Sequence, residues 1–232
     1  MGDKRSMLGI LVGMGPQATN LLYQMVIDRT PAKCDQDHIP TLIYSDAQMP
    51  DRTSAIVYGN DAEVGARLVA DAKLLASCGC SYIAIPCNTA HYFADDVQEQ
   101  AGIPVLHMPR LTVAELAKMG KRKAAVLATV GTVTSGVYHR ELVAAGIEPW
   151  APDPSVQVHV TSIIYDQIKA GQCGDPADWA IIEAAARESG CDCAILGCTE
   201  LFVYGDYHQL DRDFYIDPMA VLAQACVDAC TR

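Results

Sequence analysis

Positive charge is in short supply in this chain. Its 17 lysines and arginines face 28 aspartates and glutamates, for a formal net charge of −11. That balance argues against nucleic acid and against anionic membrane surfaces as partners, since both are held largely by counter-charge. An anionic small molecule stays admissible, but only where a local cationic pocket overrides the global field. Long hydrophobic runs are missing too. None approaches the roughly 20 residues that a membrane span needs, so no membrane partner is expected. Met1-Gly2-Asp3-Lys4-Arg5-Ser6 followed by Met7 to Val12 has the outline of a secretory leader. The apolar run is short, however, and Gly13 to Pro16 reads as a turn after a first strand. Gly2 and Ser6 match the loose myristoylation pattern; no polybasic second anchor follows, and chance is the better explanation.

Cysteine is plentiful, with ten in the chain, but the spacings that would give it a metal or a disulfide framework are absent. Cys78-x-Cys80 and Cys191-x-Cys193 are not the CxxC of zinc sites, so no metal is expected. Cys80, Cys191 and Cys193 stand inside apolar strand-like runs, where cysteine behaves as a small hydrophobe. The expected setting is a reducing cytoplasm. The dinucleotide fingerprint is incomplete as well. Gly13-Met14-Gly15-Pro16 has Ala18 where a third glycine would stand, and Pro16 removes an N–H that a phosphate would use. A structural turn is the plainer reading of that loop; the functional one makes it a wall of a cleft.

What the chain does have is one statement made twice. Gly79-Cys80-Ser81-Tyr82-Ile83-Ala84-Ile85-Pro86-Cys87-Asn88-Thr89 and Gly190-Cys191-Asp192-Cys193-Ala194-Ile195-Leu196-Gly197-Cys198-Thr199-Glu200 share a layout. Each opens Gly-Cys, runs through a buried strand and reaches its last cysteine at the same spacing. In open α/β sheets, ligands bind outside the carboxyl ends of strands. Two similar strands therefore each present one thiol where a ligand would sit, and the expectation is that Cys87 and Cys198 face one substrate.

The remaining pattern gives these strands their setting. Buried-strand runs at Met7 to Val12, Thr41 to Tyr44, Ile103 to Leu106, Lys123 to Ala128 and Phe214 to Ile216 alternate with helical stripes such as Val64, Leu68, Ala72 and Leu75. Gln48 to Thr53, the stretch of Pro149, Pro152 and Pro154, and Tyr204 to Asp211 read as loops. The alternation predicts parallel α/β architecture. The interval from Cys87 to Cys198 nearly equals that from Gly15 to Gly131, which predicts two pseudo-symmetric lobes, each a mainly parallel sheet flanked by helices. The expected boundaries are 1–108 with 212–232 for the first lobe and 109–211 for the second, with the active site in the cleft between them.

Chemistry attaches to few residues. A helix amino terminus lowers a thiol's pKa, and both cysteines stand where a strand ends and a helix can begin. Free backbone N–H groups there suit a carboxylate. For either cysteine alone, a place in the core is as good a reading; the matched pair favours function. Arg52 can grip a carboxylate with both arms of its guanidinium. Lys169, near a helix end, has a structural use against the dipole. His91 lies one helical turn past Cys87 and would complete a Cys–His nucleophilic pair, although that scheme leaves Cys198 unused. Glu200 is either a cap or a contact for a substrate ammonium. His107, His139, His159 and His208 stand in no cluster.

With these residues assembled, the chain resembles the aspartate racemase branch of the aspartate/glutamate/hydantoin racemases. The resemblance rests on Gly13-Met14-Gly15-Pro16-x-Ala18-Thr19, Pro50-Asp51-Arg52-Thr53, Pro86-Cys87-Asn88-Thr89-Ala90-His91, Gly131-Thr132-x-x-Ser135-Gly136 with Tyr138, Ile168-Lys169-Ala170-Gly171 and Gly197-Cys198-Thr199-Glu200-Leu201. It implies a cofactor-independent racemase, usually a homodimer, acting on an acidic amino acid, with Cys87 and Cys198 as catalytic acid/base groups. Arg52 and Lys169 match its side-chain carboxylate binders. Asn88, Thr89, Thr199 and Glu200 match its α-carboxylate contacts, and Met14 and Thr132, within matched motifs, are further substrate-binding candidates. Two other readings stay open: a cis–trans isomerase of a small dicarboxylic acid, and a non-catalytic two-lobed carboxylate-binding protein.

Overall fold

The computed structural model describes residues 5–231, and Gly2, weighed above as an acylation position, lies outside them. The chain divides into two compact units: residues 5–111 with 219–231, and Thr112–Pro218. The first contains β1 (Leu8–Val12), α1 (Pro16–Arg29), β2 (Thr41–Ser45), α2 (Arg52–Tyr58), α3 (Asp61–Ser77), β3 (Tyr82–Ala84), a 3-10 turn at Thr89–Phe93, α4 (Ala94–Ala101) and β4 (Val105–Leu106). Helix α5 (Met108–Lys118) carries the chain into the second unit. There follow β5 (Lys123–Ala128), α6 (Val130–Ser135), α7 (Val137–Ala144), β6 (Glu148–Trp150), α8 (Pro154–Ser162), a π turn at Ile163–Ile168, α9 (Pro176–Glu188), β7 (Cys193–Gly197), α10 (Thr199–Tyr207) and β8 (Tyr215–Ile216). Helix α11 (Pro218–Cys230) then rejoins the first unit.

Both sheets have four parallel strands in the same order, β2-β1-β3-β4 and β6-β5-β7-β8. The repeat read in the sequence is thus a repeat of topology. Parallel strands covered on both faces read as near-continuous apolar runs, and β7 is buried along its whole length. In β1, Leu11 faces one core with Val64, Leu68 and Leu75 of α3. Leu8 and Ile10 face another core, built with Leu22 and Val26 of α1 and Leu222, Ala223 and Cys226 of α11. This is the period of two expected of a strand. In the second unit, Leu127 and Leu196 pack against Val160, Ile163, Trp179 and Ile182. Helix starts are marked chemically. The side chains of Asp51, Asp153 and Asp175 accept from Ser54 N at 2.7 Å, Ser155 N at 2.8 Å and Ala177 N at 2.8 Å, caps contributing about 1 kcal/mol each.

Four expectations change. Arg52 opens α2 and is not in a loop, because Asp51 caps it. Pro149 lies in β6, where an edge strand tolerates the missing N–H. Tyr204 is buried within α10 and stacks on Trp179 with ring centroids 4.5 Å apart; Leu201 and Tyr204 repeat at helical spacing. The boundary at 211/212 puts the last strand in the first lobe, but β8 pairs with β7, Ala194 opposite Tyr215. Only α11 returns.

Two histidines lock the first unit where the 3-10 turn, β4 and α5 meet. Met108 N donates to His91 Nε2 at 3.0 Å, which leaves His91 Nδ1 to donate to Cys87 O at 2.9 Å. The neutral ring is therefore fixed in one tautomer. His107 packs edge-on against it, with centroids 5.0 Å apart. Burial is the main cause pushing both below the ordinary imidazole value, His91 to about 4 and His107 to about 3.

Leu222→Ala removes a fully buried side chain of α11 and should cost about 2–5 kcal/mol, read from a urea unfolding curve. Below pH 6.5 the unfolded chain protonates both histidines while the folded chain does not. Stability should therefore fall as pH drops from about 6.5 towards 4, by up to about 1.4 kcal/mol per pH unit for each histidine. His107→Asn should flatten that slope in urea midpoints measured from pH 7 to pH 4.5.

Candidate active site

In each sheet the chain lays its second strand on one side of the first and its third on the other. The carboxyl ends of β1 and β3, and of β5 and β7, are the switch points at which such sheets bind ligands. In the first unit Ile10 pairs with Ala84, where β3 ends; Gly13 follows β1 and Cys87 follows β3. Gly13 is held at φ +142°, and a Cβ there would collide with the backbone of Asp46; no other residue fits the turn. Cys87, half-buried, and Met14 pack against the same core.

Arg52 joins this end of the sheet. Its Nη2 donates to Met14 O at 3.3 Å and its Nη1 to Pro50 O at 2.9 Å, while its buried Nε has no protein acceptor. Two carbonyls orient the guanidinium without neutralising it, and among the described residues no ion pair involves Arg52. A cation held this way suits an anionic ligand. Asn88 and Thr89 follow Cys87 into the 3-10 turn, and both are buried. His91 is directed at the Cys87 carbonyl, which removes the Cys–His nucleophilic pair.

In the second unit Ala128 pairs with Gly197, so Thr129 and Cys198 leave the sheet side by side. A Cβ on Gly197 would stand 2.8 Å from Ala128 Cβ, which is why the residue before the thiol is glycine. Cys198 is the N-cap of α10 and half-buried. Its Sγ donates to Glu200 Oε2 at 2.7 Å, and Lys169 Nζ lies 3.8 Å from Glu200 Oε1. The helix start was expected to lower this thiol, and the Glu200 N–H does so slightly. Burial first and the Glu200 carboxylate second outweigh it and hold Cys198 well above the ordinary thiol value. Thr199 is half-buried in the first turn of α10. Thr132 is buried, and its hydroxyl lies 3.1 Å from that of Thr129, the cap of α6.

Lys169 follows the π turn directly, a geometry that often marks functional sites. Its Nζ sits 4.4 Å from the centre of the Tyr165 ring. The turn is held by Gln167, which donates to Asp178 Oδ2 at 2.6 Å and accepts from Asp175 N at 2.6 Å. His159 Nδ1 completes the group 2.7 Å from Asp178 Oδ1. Sequence reasoning missed all of these supporting residues; the one available signal was the spacing of Tyr165, one helical turn before Lys169. The other strand cysteines are structural: burial pushes Cys191 up to about 11 and Cys193 up to about 12. Among the described residues, no group of three His, Cys, Asp or Glu side chains could hold a metal, and no helix is long and apolar enough to cross a membrane.

Comparison with known proteins shows the family and the fold. The chain is 30% identical over 225 residues to the broad specificity amino-acid racemase RacX of Bacillus subtilis, covering 95% of this chain and 96% of that one. The aspartate racemase of Picrophilus torridus superposes with a TM-score of 0.76 at 28% identity, covering 97% of this chain and 94% of that one. An aspartate racemase homologue from Pyrococcus horikoshii has the same fold, with a TM-score of 0.79 at 23% identity over 98% of this chain and 100% of that one. The pattern of the Asp/Glu/Hydantoin racemases matches residues 11–226, and the chain belongs to that family.

Proposed function

We propose that this protein interconverts the enantiomers of an acidic amino acid, aspartate foremost, by proton transfer between Cys87 and Cys198 without a cofactor. The enzyme class that goes with the family and its relatives is amino-acid racemase; the substrate and the two-thiol mechanism are the proposal. One observation carries it: two repeats of a single topology each place a half-buried cysteine just after their third strand. Racemisation has the same duality, since removing a proton from one face and supplying one to the other takes two acid/base groups.

The α-hydrogen of an amino acid is weakly acidic, and without an electron sink the protein must stabilise developing negative charge with preorganised donors. Backbone N–H groups after each cysteine, at Asn88, Thr89, Thr199 and Glu200, are suited to the α-carboxylate. Arg52 is the leading candidate for the side-chain carboxylate, because its guanidinium is oriented yet uncompensated. Lys169 is the second. Met14 helps by fixing Arg52 through its carbonyl. Thr132, whose hydroxyl is taken up by Thr129, supports the loop after β5.

Incubation with L-aspartate in heavy water should give D-aspartate carrying deuterium at the α-carbon. Binding without exchange would favour a carboxylate-binding protein, and turnover of a small unsaturated diacid would favour an isomerase. Cys87→Ser and Cys198→Ser should each lower racemisation by more than about a hundredfold; near-normal turnover by either would end the two-thiol scheme. Arg52→Gln should raise KM for aspartate about tenfold or more and affect alanine, if it is turned over, much less.

A further inference from the structure

The two repeats are not chemically equal. Two residues past Cys87 stands Thr89, which is uncharged; two residues past Cys198 stands Glu200. The Glu200 side chain is turned back on its own helix start, with Oε2 accepting the Cys198 S–H at 2.7 Å and Oε1 facing Lys169 Nζ at 3.8 Å. Lys169 is shared in turn with the Tyr165 ring. A carboxylate so placed is a poor contact for a substrate carboxylate, and it is a direct hold on the thiol's proton.

We propose that Glu200 is a positioning residue that keeps the proton on Cys198 in the resting enzyme, making Cys198 the proton donor and Cys87 the base for the first enantiomer to react. This rests on the two-thiol reading above. In that first turnover the Cα–H bond breaks towards the Cys87 sulfur, and the S–H bond of Cys198 breaks as its proton bonds to carbon from the other face. The enzyme is left with a thiol at Cys87 and a thiolate at Cys198. The Glu200 carboxylate disfavours that thiolate by like-charge repulsion, and Lys169 partly offsets the repulsion. Proton exchange with water then restores the resting form. The repeated motif therefore does not make an enzyme indifferent to direction: one enantiomer meets it prepared, and the other meets a form that must first be generated.

The groups facing the Cys198 sulfur are Glu200 from α10 and Lys169 from the end of the π turn, so the test varies each. Alkylation of Cys198 by iodoacetamide, followed by peptide mass spectrometry from pH 6 to pH 10.5, reads its thiolate directly and needs no turnover. In Glu200→Gln the rate at Cys198 at pH 8 should rise about tenfold or more, since a like charge at this range moves a thiol by roughly one unit or more. In Lys169→Met it should fall below that of the unaltered protein. Equal Cys198 rates in Glu200→Gln and the unaltered protein would overturn the proposal, as would a change of the same sign in both variants. Absence of racemisation alongside the expected alkylation pattern would sink the two-thiol function while leaving the Glu200–Cys198 coupling in place.

Discussion

The rest of the structure depends on a reversal of winding at the centre of each sheet. The second strand lies on one side of the first and the third is added on the other, so the loops leaving the first and third strands run to opposite faces at the switch point. Every residue argued to matter hangs from one of those loops or from an element tied to it. Gly13 and Met14 follow β1, Cys87 follows β3, Thr129 and Thr132 follow β5, and Cys198 follows β7. Arg52 and Lys169 come from other elements, and each is brought in by a specific bond: Arg52 by the Met14 carbonyl, Lys169 by the Glu200 carboxylate. The strands supply position through the apolar cores of each unit. The loops supply chemistry, because backbone leaving a sheet still has N–H groups to offer.

Much of this was legible in the sequence, and for a physical reason. A buried parallel strand has to be apolar along its length, so β5 and β7 stand out, and a repeated Gly-Cys-strand-Cys layout needs no partner information to be seen. The helices of one stripe, such as α3, are equally plain. What resisted reading was set by tertiary context. The loop assigned to Pro149 is an edge strand because nothing beyond it needs its N–H. The segment after Cys198 is helical through Tyr207 because Tyr204 finds Trp179 to stack on. The placement of β8 is decided by pairing with β7, which a two-residue strand cannot announce.

The candidate site divides along the same line. The two thiols drew attention through the repeat and Arg52 as a cation in a polar stretch; the structure puts the thiols just past the third strands and Arg52 at the start of α2. The neighbours that tune them were not. His91 has the spacing of a catalytic partner, yet its ring is spent on the Cys87 carbonyl and the Met108 N–H, a neutral structural bridge. Glu200 has the position of a cap, yet its carboxylate reaches the sulfur of its own N-cap residue. In both cases the spacing identified the neighbourhood and the rotamer decided the role. The helix start at Cys198 shows how magnitudes settle such conflicts: Lys169 and one backbone N–H favour the thiolate, while burial and an adjacent carboxylate oppose it and prevail.

Helix α11 gives the chain an order of assembly that differs from its order of synthesis. Leu8 and Ile10 leave the ribosome well before α11, yet one of their faces is covered by Leu222, Ala223 and Cys226, made about two hundred residues later. The second unit is an insertion, complete in itself by Pro218. It can therefore close its core while the first still shows an uncovered apolar sheet face to chaperones or to other nascent chains. A protein built this way is most exposed to misassembly in the interval before α11 emerges, because one face of β1 is completed only by a helix made long after it.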